Sequence, residues 1–172
     1  VVNPNLSGGL PSHVTGQFAA VDAALRDPQG NLEPYRGITR DLRTGQNFNP
    51  TSGYIVSDPG GTHVPHAQYN PADLGPFVTA RQHLLLEPHG QGRLGVFVDE
   101  DTVDTDVSRH YTDPRAAFKA MRKRGRTAGG EMAGVETEQK SGYRPGTPEG
   151  QDPLIYNPHH PANYRRIMDA LS

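Results

Sequence analysis

Leu94-Gly95-Val96-Phe97-Val98 is the stretch that decides the fold. Branched and aromatic residues dominate it, Gly92 bounds it in front and an acidic run follows, so it reads as a strand of a sheet. Tyr54-Ile55-Val56-Ser57, between Gly53 and Asp58-Pro59-Gly60, has the same character. Weaker strands are expected at 35–39, 76–79, 103–107 and 133–138. Three helices join them. Thr15 is placed to cap one that carries Phe18, Val21 and Leu25 on a single face and stops at Pro28 and Gly30. Asp113-Pro114 supplies a cap and a first-turn proline for a second, running through Phe118 and Met121 to Gly125 and ending in Arg122-Lys123-Arg124, whose charge complements the helix dipole. After Pro161, the spacing of Tyr164, Ile167, Met168 and Leu171 predicts a third, packing helix. A short helix is expected over 80–86, closed before Pro88. The class is α+β: one domain with short, split mixed or antiparallel sheets, a few helices and long loops rich in proline and glycine.

Composition fits a thin core. Of 172 residues, 33% are hydrophobic and 7% aromatic, against the roughly 45–50% apolar share of ordinary soluble domains. Twenty glycines and sixteen prolines lengthen the loops. The net charge of -2 and pI near 6.5 give no general field for nucleic acid or membrane, so an anionic ligand must be met by local basic groups. The absence of cysteine removes disulfides, thiolate zinc sites and a cysteine nucleophile. No segment approaches the roughly 18 apolar residues of a membrane span. The start, Val1-Val2-Asn3-Pro4-Asn5, has neither an initiator methionine nor a signal-peptide pattern; the chain reads as a piece of a longer one, with residues 1–14 as a linker.

The chemistry concentrates between residues 35 and 140. Tyr35-Arg36-Gly37-Ile38 puts an arginine after an aromatic residue at the start of a strand, and Arg40 follows. A guanidinium meets phosphate oxygens through paired hydrogen bonds, which suits a dinucleotide diphosphate. Phe77-Val78-Thr79 offers a strand hydroxyl at Thr79, with Thr51-Ser52 as an alternative cluster; His63 lies between the two, with His66 as its competitor. Glu136-Thr137-Glu138 sets two carboxylates on one face of a strand.

In order and spacing these residues resemble the ADP-ribosyltransferase toxins of the cholera and pertussis type, in which an arginine, a serine or threonine and a glutamate line one NAD cleft. The resemblance implies that Arg36, Tyr35, Arg40 and His63 hold NAD, that Thr79 shapes the cleft, and that Glu138 stabilises the ribosyl cation while Glu136 orients an acceptor arginine of a target protein, with Glu131 as a substitute for either. It implies a toxin or effector delivered into the cytosol of a target cell, a glycosyltransferase using NAD as substrate and no metal, neutralised by a cognate immunity protein. One hydroxyl at Thr79 stands where the family usually has two or three.

Two other classes remain open. A metal-independent ribonuclease would use His110 or His160 as base and Arg122 to Arg126 for the phosphate, although the near-neutral charge argues against nucleic acid as partner. A virion or secretion-apparatus component would use the prolines and glycines to build extended arms. His63-Val64-Pro65-His66, His159-His160 and the acidic run Glu100-Asp101, Asp104 and Asp106 lack the spacing of known metal motifs and read as loop residues.

Overall fold

A computed structural model describes residues 9–48, 54–113, 115–117, 119–120 and 135–137, residues 54 and 135–137 by their backbone. The chain opens with two short helices, α1 (Ser12–Thr15) and α2 (Phe18–Ala24). Thr15 ends the first instead of capping the second: its hydroxyl donates back to the Ser12 carbonyl at 3.3 Å. Gln17 occupies the joint, buried, and its amide donates to the His13 carbonyl at 2.9 Å and the Leu42 carbonyl at 3.0 Å. Residues 12–14, part of the stretch expected to be a linker, belong to α1, and Val14 is in the core.

Among the described residues seven strands follow: β1 (Gly37–Asp41), β2 (Gln46–Asn47), β3 (Tyr54–Ser57), β4 (Thr62–Pro65), β5 (Arg93–Val98), β6 (Thr102–Tyr111) and β7 (Val135–Thr137). They form one sheet in the order β2-β1-β5-β6-β3-β7, with β4 also on β6, and each pairing is antiparallel. With its helices this is an α+β domain. β3 and β4 share one edge of β6. Ser57 is opposite Ser108 and Thr62 opposite Thr105, so residues 58–61 face only 106 and 107 and form a bulge. Glycine serves this bulge twice. Gly60 takes φ +89°, and a Cβ on Gly61 would lie 2.8 Å from the Thr105 carbonyl oxygen.

Alternation gives the sheet two faces. Ile38, Leu94, Val96, Val98, Val103 and Val107 line one, buried against Val14, Val21 and Leu25 and against two further helices, α3 (Leu74–Thr79) and α4 (Gln82–Leu85). The second of these fits the helix expected over 80–86. The first replaces the strand expected at 76–79. Leu74, Phe77 and Val78 recur at i, i+3 and i+4 and are all buried, and the turn ahead of them is set by Asn70, whose side chain accepts from the Ala72 N–H at 3.0 Å. The Asp113 cap is as expected: its carboxylate accepts from the Arg115 N–H at 3.1 Å, and residues 115–117 and 119–120 are helical. The basic turn Arg122-Lys123-Arg124 and the stripe from Tyr164 to Leu171 lie outside the described residues.

The other face carries Ser57, Asp106 and Ser108 alongside the buried Ile55, is called the polar face below, and has Gly95 as its floor. A Cβ there would lie 2.5 Å from both Asp106 Oδ1 and Ser108 Oγ. Gly95→Ala should therefore cost about 1–3 kcal/mol, the usual penalty of overpacking; a denaturant midpoint equal to the parent's would show that these side chains move aside freely.

Tyr69 packs beside the core with its hydroxyl buried near Asp22, and burial first, then the Asp22 charge, pushes its pKa up to about 12 from 10.0. A phenol whose folded pKa is raised contributes stability that is whole below the unfolded value and is lost as pH rises through the folded one. Between pH 10 and 12 the parent should lose stability that Tyr69→Phe keeps; parallel stability curves for the two over that interval would remove Tyr69 from the alkaline transition.

Candidate functional site

The polar face gathers chemistry from four strands and the residue after β2. Asp106 accepts from Ser57 Oγ and from Ser108 Oγ, each at 2.8 Å, one on each carboxylate oxygen. Arg93 is in register with Ser108 on this face. Its guanidinium carbon stands 3.6 Å over the ring of Phe48, a cation–π contact, and the His110 ring meets the same phenyl edge-on at 5.4 Å. Phe48 extends the β1–β2 ladder through a 2.8 Å bond from its N–H to the Thr39 carbonyl, while His110 is on β6. Their rings meet although β1 and β5 lie between their strands. Thr39 and Gly95, opposite each other, keep that part of the face low.

Arg93 is the least satisfied group in this cluster. Its Nε is buried without a hydrogen-bond partner; Asp41 Oδ2 stands at 3.7 Å, an electrostatic neighbour too distant for a hydrogen bond. Burial holds the guanidinium below its ordinary pKa, opposed by Asp41 and reinforced by Arg43. The guanidinium still carries its charge at neutral pH, and an anion would be stabilised beside it. Ile55 is paired with His110 on one side and with Glu136 on the other, so the backbone of β7 places Glu136 on the same face, two strands from His110.

The residues singled out in the sequence are distributed differently. Tyr35, in a left-handed conformation at φ 69°, donates its hydroxyl to Glu100, and burial and the neighbouring acids add to that bond in raising its pKa. Arg36 is ion-paired with Glu33. Both are tied to the end of β5: the Tyr35 N–H donates to the Val98 carbonyl at 2.6 Å, and the Val98 N–H to the Arg36 carbonyl at 2.8 Å. His66 joins them at the β5–β6 turn, donating from Nε2 to the Asp99 carbonyl at 2.8 Å. His63 stands on β4, half exposed, with Nδ1 2.8 Å from Asp104 Oδ1. Arg40 is a structural brace, bonded to Gln17 Oε1 at 3.0 Å and to Asn47 Oδ1 at 2.9 Å. Thr79, expected on a strand, is exposed at the end of α3 and returns its hydroxyl to the Gly75 carbonyl at 2.8 Å, because the helix that buries Phe77 and Val78 turns it outward. Glu138, Glu131 and Thr51-Ser52 lie outside the described residues.

These positions do not converge. Arg36 is level with Val98, which pairs with Val103 at the start of β6, whereas Glu136 is level with His110 near its end. β1 and β7 are four strand positions apart. At strand spacings near 4.8 Å and a rise near 3.3 Å per residue, the separation in the sheet is on the order of 20 Å in each direction. Arg36 and Glu136 therefore lie far apart in the sheet, while Glu138, the residue expected at the ribose, is outside the described residues.

Of the polar-face residues, the sequence reading had named His110, Asp106 and Glu136, the first two under other headings. Arg93 and Phe48 carried no local signal, since each is an ordinary residue in or beside a strand and their contact joins positions far apart in the chain. Among the described residues no group of three or more histidine, aspartate or glutamate side chains could hold a metal ion, and no helix is long and apolar enough to cross a membrane. Compared with protein-family models, curated proteins and solved structures, the chain matches none.

Proposed function

We propose that the polar face binds a phosphate of RNA and cleaves the adjoining phosphodiester by general acid–base catalysis. The observation that carries this reading is Arg93, a partly buried guanidinium whose Nε lacks a hydrogen bond and which shares the Phe48 ring with the imidazole of His110. Attack of the 2′-hydroxyl on its own phosphate requires removal of the hydroxyl proton, protonation of the departing 5′ oxygen and a cation for the charge that builds on phosphorus. Arg93 supplies the cation. His110 supplies one proton transfer, and Glu136, in the same row of the face, the other. Phe48 holds the arginine in place through its ring.

ADP-ribosyl transfer from NAD to a protein arginine, the activity implied by the resemblance to the cholera-type toxins, is the competing reading. It rests on the order of Arg36, Thr79 and the glutamate pair along the chain, and no described contact between those residues supports it.

One experiment separates the two: incubation of the chain with end-labelled single-stranded RNA in one arm and with labelled NAD and a cell lysate in the other. RNA fragments ending in a 2′,3′-cyclic phosphate are expected, with the rate lowered about 10²-fold or more in His110→Ala. Release of nicotinamide and labelling of protein with the RNA intact would overturn the proposal in favour of transfer.

Arg93→Met gives a second check. Replacing an incompletely bonded guanidinium with an apolar side chain of similar length should leave stability within about 1 kcal/mol of the parent, as such exchanges often do. RNA cleavage should fall about 10²–10³-fold, the scale of a single lost electrostatic contact in catalysis. A variant that unfolds, or one that cleaves at the parent's rate, would reduce Arg93 to a structural residue.

A further inference from the structure

We infer that Asp41 is a positioning residue that serves as a built-in counter-ion for Arg93, holding the guanidinium in register until a substrate phosphate displaces it. The inference rests on Arg93 being the anion-binding group of the polar face, as proposed above.

The two oxygens of Asp41 have separate tasks. Oδ1 accepts from the Arg43 N–H at 3.0 Å and from Arg43 Nε at 3.2 Å, closing a local turn after β1. Oδ2 faces Arg93 Nε at 3.7 Å, in ion-pair range but without a hydrogen bond. The two arginines differ in what remains of their donor capacity. Arg43 is consumed by main-chain carbonyls: Nη1 donates to Leu84 at 3.3 Å and to Gly90, and Nη2 to Gly92 at 2.8 Å. Arg43 therefore fixes the backbone immediately before Arg93, while Asp41 fixes the guanidinium from the side. All three side chains are mostly buried, with 16% of Asp41, 16% of Arg43 and 22% of Arg93 exposed, so their charges act on one another with less screening than at the open surface.

A phosphate approaching this guanidinium meets two opposed effects. Arg43 adds positive charge beside it, and Asp41 repels it while competing for the same arginine. A carboxylate close enough to orient the fork, yet without a hydrogen bond to Nε, is a partner that a phosphate with two or three acceptor oxygens can replace. Charge removal at Asp41 should consequently strengthen anion binding while loosening the arginine that performs the chemistry.

The test uses the full chain and inorganic phosphate, titrated by chemical-shift changes, in the parent, in Asp41→Asn and in Asp41→Asn combined with Arg93→Met. Asparagine keeps an oxygen for Arg43 and removes the charge. Phosphate should bind Asp41→Asn about threefold more tightly than the parent, the scale of one partly screened ion pair, and this gain should vanish in the double variant. Asp41→Ser, which also keeps an acceptor for Arg43, should act in the same direction if the asparagine variant does not fold. With RNA, KM should fall and kcat should fall with it, a split that loss of folded protein alone would not produce. Unchanged or weaker phosphate binding in Asp41→Asn, a gain that survives removal of Arg93, or no phosphate binding in any form at tens of millimolar would overturn the inference. Phosphate binding as expected with RNA left uncleaved would remove the ribonuclease reading and leave the counter-ion role standing.

Discussion

The guanidinium of Arg43 is the contact on which the arrangement of the sheet depends. From the turn between β1 and β2 it reaches the carbonyls of Leu84, Gly90 and Gly92, the last directly before β5, and its Nε is held by Asp41. The Gly90 and Gly92 carbonyls follow the end of α4 and have no strand to pair with, so they would otherwise need water or other partners, while the Leu84 carbonyl, inside α4, also accepts from the Gly92 N–H at 3.1 Å. Charge-assisted bonds of this type are each worth about 1.5–3 kcal/mol. Their effect on architecture exceeds that figure, because β5 pairs with β1 on one side and β6 on the other. A misplaced entry to β5 would shift both ladders, and a shift of one residue would send Leu94, Val96 and Val98 to the polar face.

The same device recurs wherever the apolar core is too thin to fix a loop. Arg26 reaches the Gly30 carbonyl at 2.9 Å, Arg81 the Gly60 carbonyl at 2.7 Å, and Gln17 the Leu42 carbonyl at 3.0 Å. Two of these acceptors are glycines with positive φ, in turns where main-chain carbonyls lose their regular partners. A chain with 33% hydrophobic residues and twenty glycines can hold ordered turns in this way without a thicker core, with long side chains standing in for absent secondary structure. It also explains why Arg40 and Arg43, which look available in the sequence, are not. The Nε of Arg36 and that of Arg93 are both buried without a hydrogen bond; Arg36 is ion-paired with Glu33, whereas the carboxylate nearest Arg93 Nε, Asp41, stands 3.7 Å away.

Much of the fold was legible in the sequence. Tyr54–Ser57 and Arg93–Val98 are strands because short β-branched runs between turn residues have few alternatives, and the Asp113 cap is a local motif that needs no tertiary support. Phe77-Val78-Thr79 was misread because three residues cannot distinguish a strand from a helix. Adding Leu74 shows the helical spacing, and Asn70 and Pro71 show where the turn before it begins. The site was far less legible. Arg93 lies on Phe48 and Phe48 meets His110 through strand order, and strand order depends on which ladders form across the whole chain.

Strand order also sets motif residues that follow one another along the chain far apart in the sheet. β1 and β3 are near in sequence but are separated in the sheet by β5 and β6, two later strands inserted between them. Any pair of residues carried on β1 and on β7, which extends the sheet beyond β3, is thereby pushed apart by the full width of that insertion. The insertion has an opposite effect on its own residues. It brings Arg93 and His110, from β5 and β6, to the middle of the polar face, where Phe48 reaches both from one side and Ser57 reaches Asp106 from the other. Central strands are held on both edges, so side chains there are positioned by two ladders instead of one. Glycine at position 95 completes the arrangement by allowing Asp106 and Ser108 to lie flat across β5. The proposed chemistry lies where the late hairpin enters the sheet, and Tyr35 and Arg36 bond to Val98 at the far end of its first strand.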